Sequence, residues 1–516
     1  MPIPRRLLRG EITYSSAKSD ETNILHKLTY WDQRAKFFDH LYENRSLIQA
    51  VVAHHLGLSA KEACQVAERD EWLNGSFNLC IPITIDGWKS HSSKRVIFRL
   101  PLPYRVGELF RPGNADEKLR CEAGTYAWLQ EHCPTVPIPR LYGFGLSTGQ
   151  TFTALENLPF GTRCIQYLRR RMLAWLGYPV PSHYVRHHSR CQSLGTLGTG
   201  YLIIDYIEET QGVMLSDTWD ERRNDVALRK NLFRDLCRVL LNLARVPLPR
   251  IGSFIIDDNG LLSLANRPLS LEIQDLENEH IPVDIPRDFT YSTVDSYVVD
   301  TLAFHDSRLR HQPNAISNME DCIYQMSALT MMKTVSSLFL QRDLRRGPFV
   351  FTLTDLHQSN IFVDKDWNIR CLIDLEWACS RPIEMLHPPR WLTNQAVDMI
   401  DVVEYDKIRH EFMDILEEVE QDFCAGGHEI TRLSPLMKQG WEMGTFWYSL
   451  ALRSPTGLFR VFYDHIQPSL AKGHEDDSSF YQIVMYYWTK NTSTFVSEKT
   501  KDKEDYDLRL REAFKA

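Results

Sequence analysis

The chain is poor in the features that would make its class obvious. Its eleven cysteines are scattered, odd in number and contain no Cys-x-x-Cys pair. That excludes a disulfide framework and reads as reduced core thiols in an intracellular protein. No apolar run approaches the roughly 18 residues needed to span a bilayer. The best candidate, Ser327 to Leu340, is short and interrupted by Lys333. Basic charge is not in excess: 67 acidic residues outnumber 59 basic ones, for a net charge of −8. A basic, whole-surface nucleic-acid binder is therefore not expected, and neither is a membrane partner. The start, Met-Pro-Ile-Pro-Arg-Arg-Leu-Leu-Arg-Gly, lacks the apolar stretch of a secretory signal. The expected location is the cytoplasm, with three arginines ahead of Glu11 leaving a mitochondrial alternative.

Familiar catalytic motifs are also missing. There is no Gly-x-x-x-x-Gly-Lys-Ser/Thr loop and no His-Glu-x-x-His, and GFGLSTG at 143–149, without a following helix, reads as a strand-end turn. Asp-Phe-Gly and Ala-Pro-Glu are absent, so the activation segment of a protein kinase is not expected. His187, His188 and Cys191 come nearest to a zinc cluster but lack a second ligand pair, so they read as a surface loop.

What is present is an ordinary globular composition in a chain of 516 residues. One core rarely exceeds roughly 250–300 residues, so two or more lobes are expected. Residues 1–70 read as a helical extension, with Trp31, Phe37, Phe38 and Leu41 at helical spacing. Residues 71–207 read as a small sheet-rich lobe. Its runs SFNLCIPITI and KRVIFRLPLP flank Asp86-Gly87, a hairpin-turn dipeptide. A helix from about Asp116 to His132 follows, and an irregular insertion is expected over about 159–200. Residues 208–488 read as a large helical lobe and 489–516 as a charged surface tail. The fold class is thus α+β and bilobal. The acids from Asp398 to Asp422 fit a solvated helix face better than an acceptor pocket.

Chemistry concentrates in FTLTDLHQSNIFVDKDWNIRCLIDLEWA. Two apolar runs, Ile361–Val363 and Cys371–Ile373, flank a polar turn. Pairing centred on Trp367 predicts Asn360 opposite Asp374 at the open end of a hairpin, with a slip of one residue possible. Asp355 lies just upstream. Carboxylate and amide oxygens converging this way suit a hard cation such as Mg²⁺. Asp, four residues, Asn, a hairpin and a second Asp is also the order used by kinase-like phosphotransferases.

With Leu353-Thr354-Asp355-Leu356-His357-Gln358-Ser359-Asn360 and Ile373-Asp374-Leu375-Glu376-Trp377, the chain resembles the aminoglycoside phosphotransferase-like family, in particular its fungal branch, from about residue 70 to 400. The resemblance implies a protein-kinase-like fold using ATP and Mg²⁺ on a hydroxyl of a small-molecule acceptor. It implies Asp355 as the base, Asn360, Asp374 and Glu376 at the metal, and His357 as a structural member of the loop. The chain departs from the family at Leu353 and Thr354, where His and Gly are usual. In the small lobe, Glu122 shares a helix face with Leu119, Ala123 and Tyr126, so it needs a cationic partner. Arg99 is the expected partner and Lys94 the fallback. Gly75 is the sparse candidate for a phosphate-covering turn, and Asp205 to Ile207 the candidate hinge against adenine. The alternative is a pseudoenzyme: a kinase-like scaffold that binds nucleotide or a protein without transfer.

Overall fold

The computed structural model describes residues 3–58, 64–86, 95–186, 197–426, 431–474 and 477–515. Gly87, Lys94, His187, His188 and Cys191 lie outside the described residues.

The small lobe is built on strands of β-branched and aromatic residues that pair antiparallel throughout. In chain order they are β1 (Cys64–Val66), β2 (Leu73–Asn74), β3 (Asn78–Ile85), β4 (Arg95–Pro101), β5 (Leu141–Gly145), β6 (Thr151–Ala154), β7 (Tyr184–Arg186) and β8 (Tyr201–Asp205). The sheet order is β1-β3-β4-β8-β5-β6-β7, with β2 on β3. Two helices of the N-terminal segment, α1 (Tyr30–Glu43) and α2 (Arg45–Leu56), give this sheet one apolar cover. The first seventy residues therefore hold strand as well as helix, because β1 adds to the sheet edge.

The other cover is α3 (Asn114–His132), which buries almost its whole length. It passes between the sheet and β9 (Ser253–Ile256), and Gly124 permits the approach. A Cβ there would stand 2.3 Å from the Phe254 carbonyl oxygen, so any side chain would force α3 outward. Residues 160–175 are not irregular: they form α4 (Phe160–Trp175).

The large lobe is mainly helical. It includes α5 (Val226–Ala244), α6 (Leu271–Asn278), α7 (Val294–His311), α8 (Met319–Phe339), α9 (Val402–Ala425), α10 (Thr445–Leu452) and α11 (Thr492–Ala513). The apolar run from Ser327 lies inside α8, and no described helix is long and apolar enough to cross a membrane. The charged C-terminal segment forms α11, whose Tyr506 and Leu510 pack with Ile12 and Ile24 of the N-terminal segment. Acids of α9 are spent on neighbouring elements: Glu411 pairs with Arg229, and Glu420 accepts from the backbone of Leu433 and Ser434.

A short hairpin, β10 (Ile361–Val363) and β11 (Ile369–Leu372), interrupts these helices. An α+β arrangement of two lobes results, one built on the antiparallel sheet and one mainly helical. Arg99 of the small lobe's sheet and Lys118 of α3 meet the acids that follow the hairpin.

Candidate active site

The hairpin turn sets the positions of the acidic groups. Asp364 Oδ1 accepts from the backbone of Asp366 and Asn368, and Trp367 takes a left-handed φ of 60°. A register shift after Phe362 follows, so Ile361 pairs with Leu372. Asn360 therefore faces Ile373, whose N–H donates to the Asn360 carbonyl at 3.0 Å. The expected Asn360–Asp374 pairing is off by one residue, because the tight turn moves the centre of symmetry between Asp366 and Trp367. Both residues still occupy the open end of the hairpin. Asp374 adopts φ 57°, an uncommon conformation for a non-glycine residue, and one held only where the surroundings fix it.

The loop ahead of the hairpin is tied at each residue. Thr354 Oγ1 donates to the Trp377 carbonyl (2.5 Å), and Arg453 Nη2 donates to the Thr354 carbonyl (2.6 Å). Trp391 Nε1 donates to the Leu356 carbonyl (2.7 Å). Asn360 Nδ2 donates to the Asp355 carbonyl (2.8 Å), which leaves its oxygen as the atom suited to a cation. His357 sits in the same loop, with Nε2 3.7 Å from Asp355 Oδ1 and 3.4 Å from Asn360 Nδ2. Loss of water, then the carboxylates of Glu376 and Asp374, push the Asp355 carboxyl up to about 7. A carboxyl titrating near neutrality suits proton transfer.

Arg99, from β4, is the hub between the lobes. Its Nη1 donates to Asp374 Oδ1 at 2.5 Å, and its Nη2 donates to Glu376 Oε2. Its Nε lies 3.3 Å from Glu122 Oε1, close enough for an ion pair but not aligned for a hydrogen bond. The expected Arg99–Glu122 pair is thus present, and it extends to both acids of the Asp-x-Glu motif. Burial pushes the Glu122 carboxyl up to about 7 against the pull of Arg99. Both oxygens of Glu122 lack a hydrogen-bond partner among the described residues.

A second buried cation completes the group. Lys118 precedes Glu122 by one turn of α3, and its Nζ lies 2.6 Å from Asn78 Oδ1 and 3.1 Å from Glu376 Oε2. Asn78 Nδ2 donates to both oxygens of Glu376, at 3.0 and 2.8 Å. Burial opposes ionisation of Glu376, but Lys118 and Arg99 outweigh it and hold the carboxyl below its ordinary value. Neither Lys118 nor Asn78 was singled out by sequence. The available signal was the i, i+4 spacing of Lys118 and Glu122 on one face.

Gly75 lies in the turn between β2 and β3, where its N–H donates to the Asn78 carbonyl at 2.9 Å. That turn therefore reaches the same network through Asn78. Asp205 ends β8, and its carboxylate accepts from Tyr142 Oη (2.6 Å) and the Arg140 backbone (2.9 Å). Its own N–H donates to the Arg140 carbonyl, so Asp205 itself offers no free backbone donor.

Two cations, Arg99 and Lys118, face three carboxyl groups, Glu122, Asp374 and Glu376, so the group keeps an acidic excess. The Asn360 oxygen and the Asp374 carboxylate are hard donors. With this acidic excess they fit Mg²⁺, which keeps few protein ligands and fills its shell with phosphate and water. Among the described residues no group of three or more His, Cys, Asp or Glu side chains forms a ready metal cage.

Residues 154–385 match the Phosphotransferase enzyme family. The match covers the Asp355–Asn360 loop and the Asp374–Glu376 motif, the residues that carry the resemblance. Arg99, Lys118 and Glu122 lie outside it. No curated protein gives a significant match. Among solved structures, a thermostable mutant of aminoglycoside phosphotransferase APH(4)-Ia, in ternary complex with AMP-PNP and hygromycin B, is 12% identical. It aligns over 84% of this chain and 94% of its own, with a TM-score of 0.34. The Plasmodium vivax ethanolamine kinase Pv091845 is 11% identical, over 84% of this chain and 89% of its own, with a TM-score of 0.40. At that distance neither molecule's ligands carry over.

Proposed function

We propose that the protein is an ATP- and Mg²⁺-dependent phosphotransferase acting on a hydroxyl of a small molecule. The observation that carries this reading is the buried network joining Arg99 and Lys118 of the small lobe to Asp374 and Glu376, beside Asp355. The family match supports phosphotransferase chemistry.

In this reading Asp355 accepts the proton of the acceptor hydroxyl as its oxygen attacks the γ-phosphorus, and ADP leaves on the opposite side. Asn360 and Asp374 hold Mg²⁺, which when bound neutralises phosphate oxygens. Glu376 supports that shell by fixing Arg99 and Lys118. Arg99 turns part of its fork to the nucleotide phosphates, as a planar guanidinium can while keeping a carboxylate. The β2–β3 turn at Gly75 covers the phosphates, and the backbone from Asp205 to Ile207 meets the base. Catalysis is then positioning and charge neutralisation.

A cavity of about 340 Å³ beside the loop is the acceptor site in this reading. Glu272, Asp275, Arg390 and Arg453 are among its lining residues. Arg453 also holds the Thr354 carbonyl, which ties the cavity wall to the residue before Asp355. Mixed charges on the wall favour a polar acceptor.

One observation favours the alternative of a nucleotide-binding scaffold without transfer: Arg99 already engages both Asp374 and Glu376. Thermal stabilisation by ATP, with and without Mg²⁺, separates the readings when followed by turnover. The expected result is Mg²⁺-dependent stabilisation in the wild type that is lost in Asp374→Ala. Equal stabilisation in both proteins removes Asp374 from the metal site. Stabilisation without turnover across a broad panel of hydroxyl acceptors makes the scaffold the better reading.

A further inference from the structure

The helix α4 is turned inside out. Ile165, Leu168, Met172 and Trp175 fall within an arc of about 80° on its surface. An apolar arc of this kind normally faces a core. Here these four side chains are 65%, 69%, 56% and 84% exposed, and no residue of the helix is buried. Its opposite side meets the protein instead: Arg170 donates to the Pro181 carbonyl, and Arg163 to the Glu156 carbonyl at 3.4 Å. Phe160, Leu176 and Tyr178 extend the exposed apolar surface at the two ends.

Charge identifies what this face fits. Over Phe160–Trp175 there are four arginines, Arg163, Arg169, Arg170 and Arg171, and no acidic residue, on a chain whose net charge is −8. Arg169 and Arg171 flank the apolar arc on either side, and both are exposed. A second copy of the same face would set these arginines against each other. A surface that is apolar below and anionic above satisfies both features, and an exposed tryptophan is suited to the boundary between the two.

We propose that α4 binds the surface of a bilayer containing anionic lipid, lying in the interface with Ile165, Leu168, Met172 and Trp175 inserted and Arg169 and Arg171 at the headgroups. This is surface attachment, not spanning, and it is independent of the catalytic reading.

The test uses the full chain and sedimentation with two kinds of vesicle, one of phosphatidylcholine alone and one with roughly a third phosphatidylserine. The wild type is expected to bind the anionic vesicles at least about tenfold more tightly than the neutral ones, less so at high salt. Leu168→Glu/Trp175→Glu and Arg169→Glu/Arg171→Glu should each weaken that binding at least about tenfold. All four residues are exposed, so the melting temperature should not change, and it is measured alongside. A wild type that stays in solution with both vesicles overturns the proposal. So does binding that both variants retain, or a lipid-free dimer that Leu168→Glu/Trp175→Glu dissociates.

Discussion

Lys118→Met tests whether the buried charges between the lobes act as one unit. The substitution keeps the length of the side chain and removes its charge. Lys118 is fully buried, with Nζ 2.6 Å from Asn78 Oδ1 and 3.1 Å from Glu376 Oε2. Losing it strands the Asn78 oxygen, at about 1–3 kcal/mol. It also raises the excess of carboxylates over cations from one to two, and breaking a buried ion pair costs about 3–5 kcal/mol. Arg99 and Asn78 still contact Glu376, which softens the second cost, so a total of about 3 kcal/mol is expected. Glu376→Gln alone should also destabilise, because it strands Lys118. In the double variant the excess returns to one carboxylate, so the losses should not add, and a coupling of about 1–3 kcal/mol is expected. Chemical denaturation of the four proteins measures it, with equal denaturant slopes as the check that one transition is being compared. Losses that add to within about 0.5 kcal/mol would refute the network, leaving Lys118 and Glu376 as independent buried groups.

Asp355→Asn should leave Mg²⁺–ATP binding nearly intact, since Asn360 and Asp374 remain, while phosphoryl transfer or slow ATP hydrolysis falls by roughly 10²-fold or more. Unchanged turnover would remove Asp355 as the base. His305, buried in α7 with Nε2 2.8 Å from the Leu452 carbonyl, is held down to about 4 by burial. It stays neutral in the folded chain but takes up a proton near pH 6.5 when unfolded. Its contribution is therefore full above that value and lost as pH falls toward 4. Between pH 7 and 5 the wild type should lose about 2 kcal/mol relative to His305→Gln. Parallel stability–pH curves for the two proteins would show that the imidazole is not neutral in the fold.

The parts of the site that lie close together in the chain were legible. Two short apolar runs around a polar turn specified the hairpin, and the carboxylate on the apolar face of α3 demanded a cation, which β4 supplies at Arg99. The hairpin register was not legible to the residue, because it depends on the Asp364 turn and on the positive φ of Trp367. Lys118 looked like an ordinary charged helix residue until Asn78 and Glu376, from far apart in sequence, closed around it. The helix α4 was missed for a different reason. Its amphipathic spacing is readable, but the stretch between two strand-like runs read as an irregular insertion, and nothing local says that the apolar arc points outward.

Leu353 and Thr354 look in sequence like a defect in the loop that carries Asp355. The structure supplies other supports at that point. Leu353 packs against the core that includes Phe351 and Trp391. Thr354 is held from both sides, by its hydroxyl on the Trp377 carbonyl and by Arg453 on its own carbonyl. Trp391 holds Leu356, and Asn360 holds Asp355. Three of these four hydrogen bonds join residues 23, 35 and 99 positions apart, so no local motif could contain them. The loop that carries Asp355 is thus held here by these donors. The question of activity moves to Arg99. Its fork spans Asp374 and Glu376, and a cation at Asp374 must share that carboxylate with it. Asp374 has two oxygens, and only Oδ1 accepts from Arg99. The other is available to a metal while the ion pair persists, so binding Mg²⁺ does not require the network between the lobes to break.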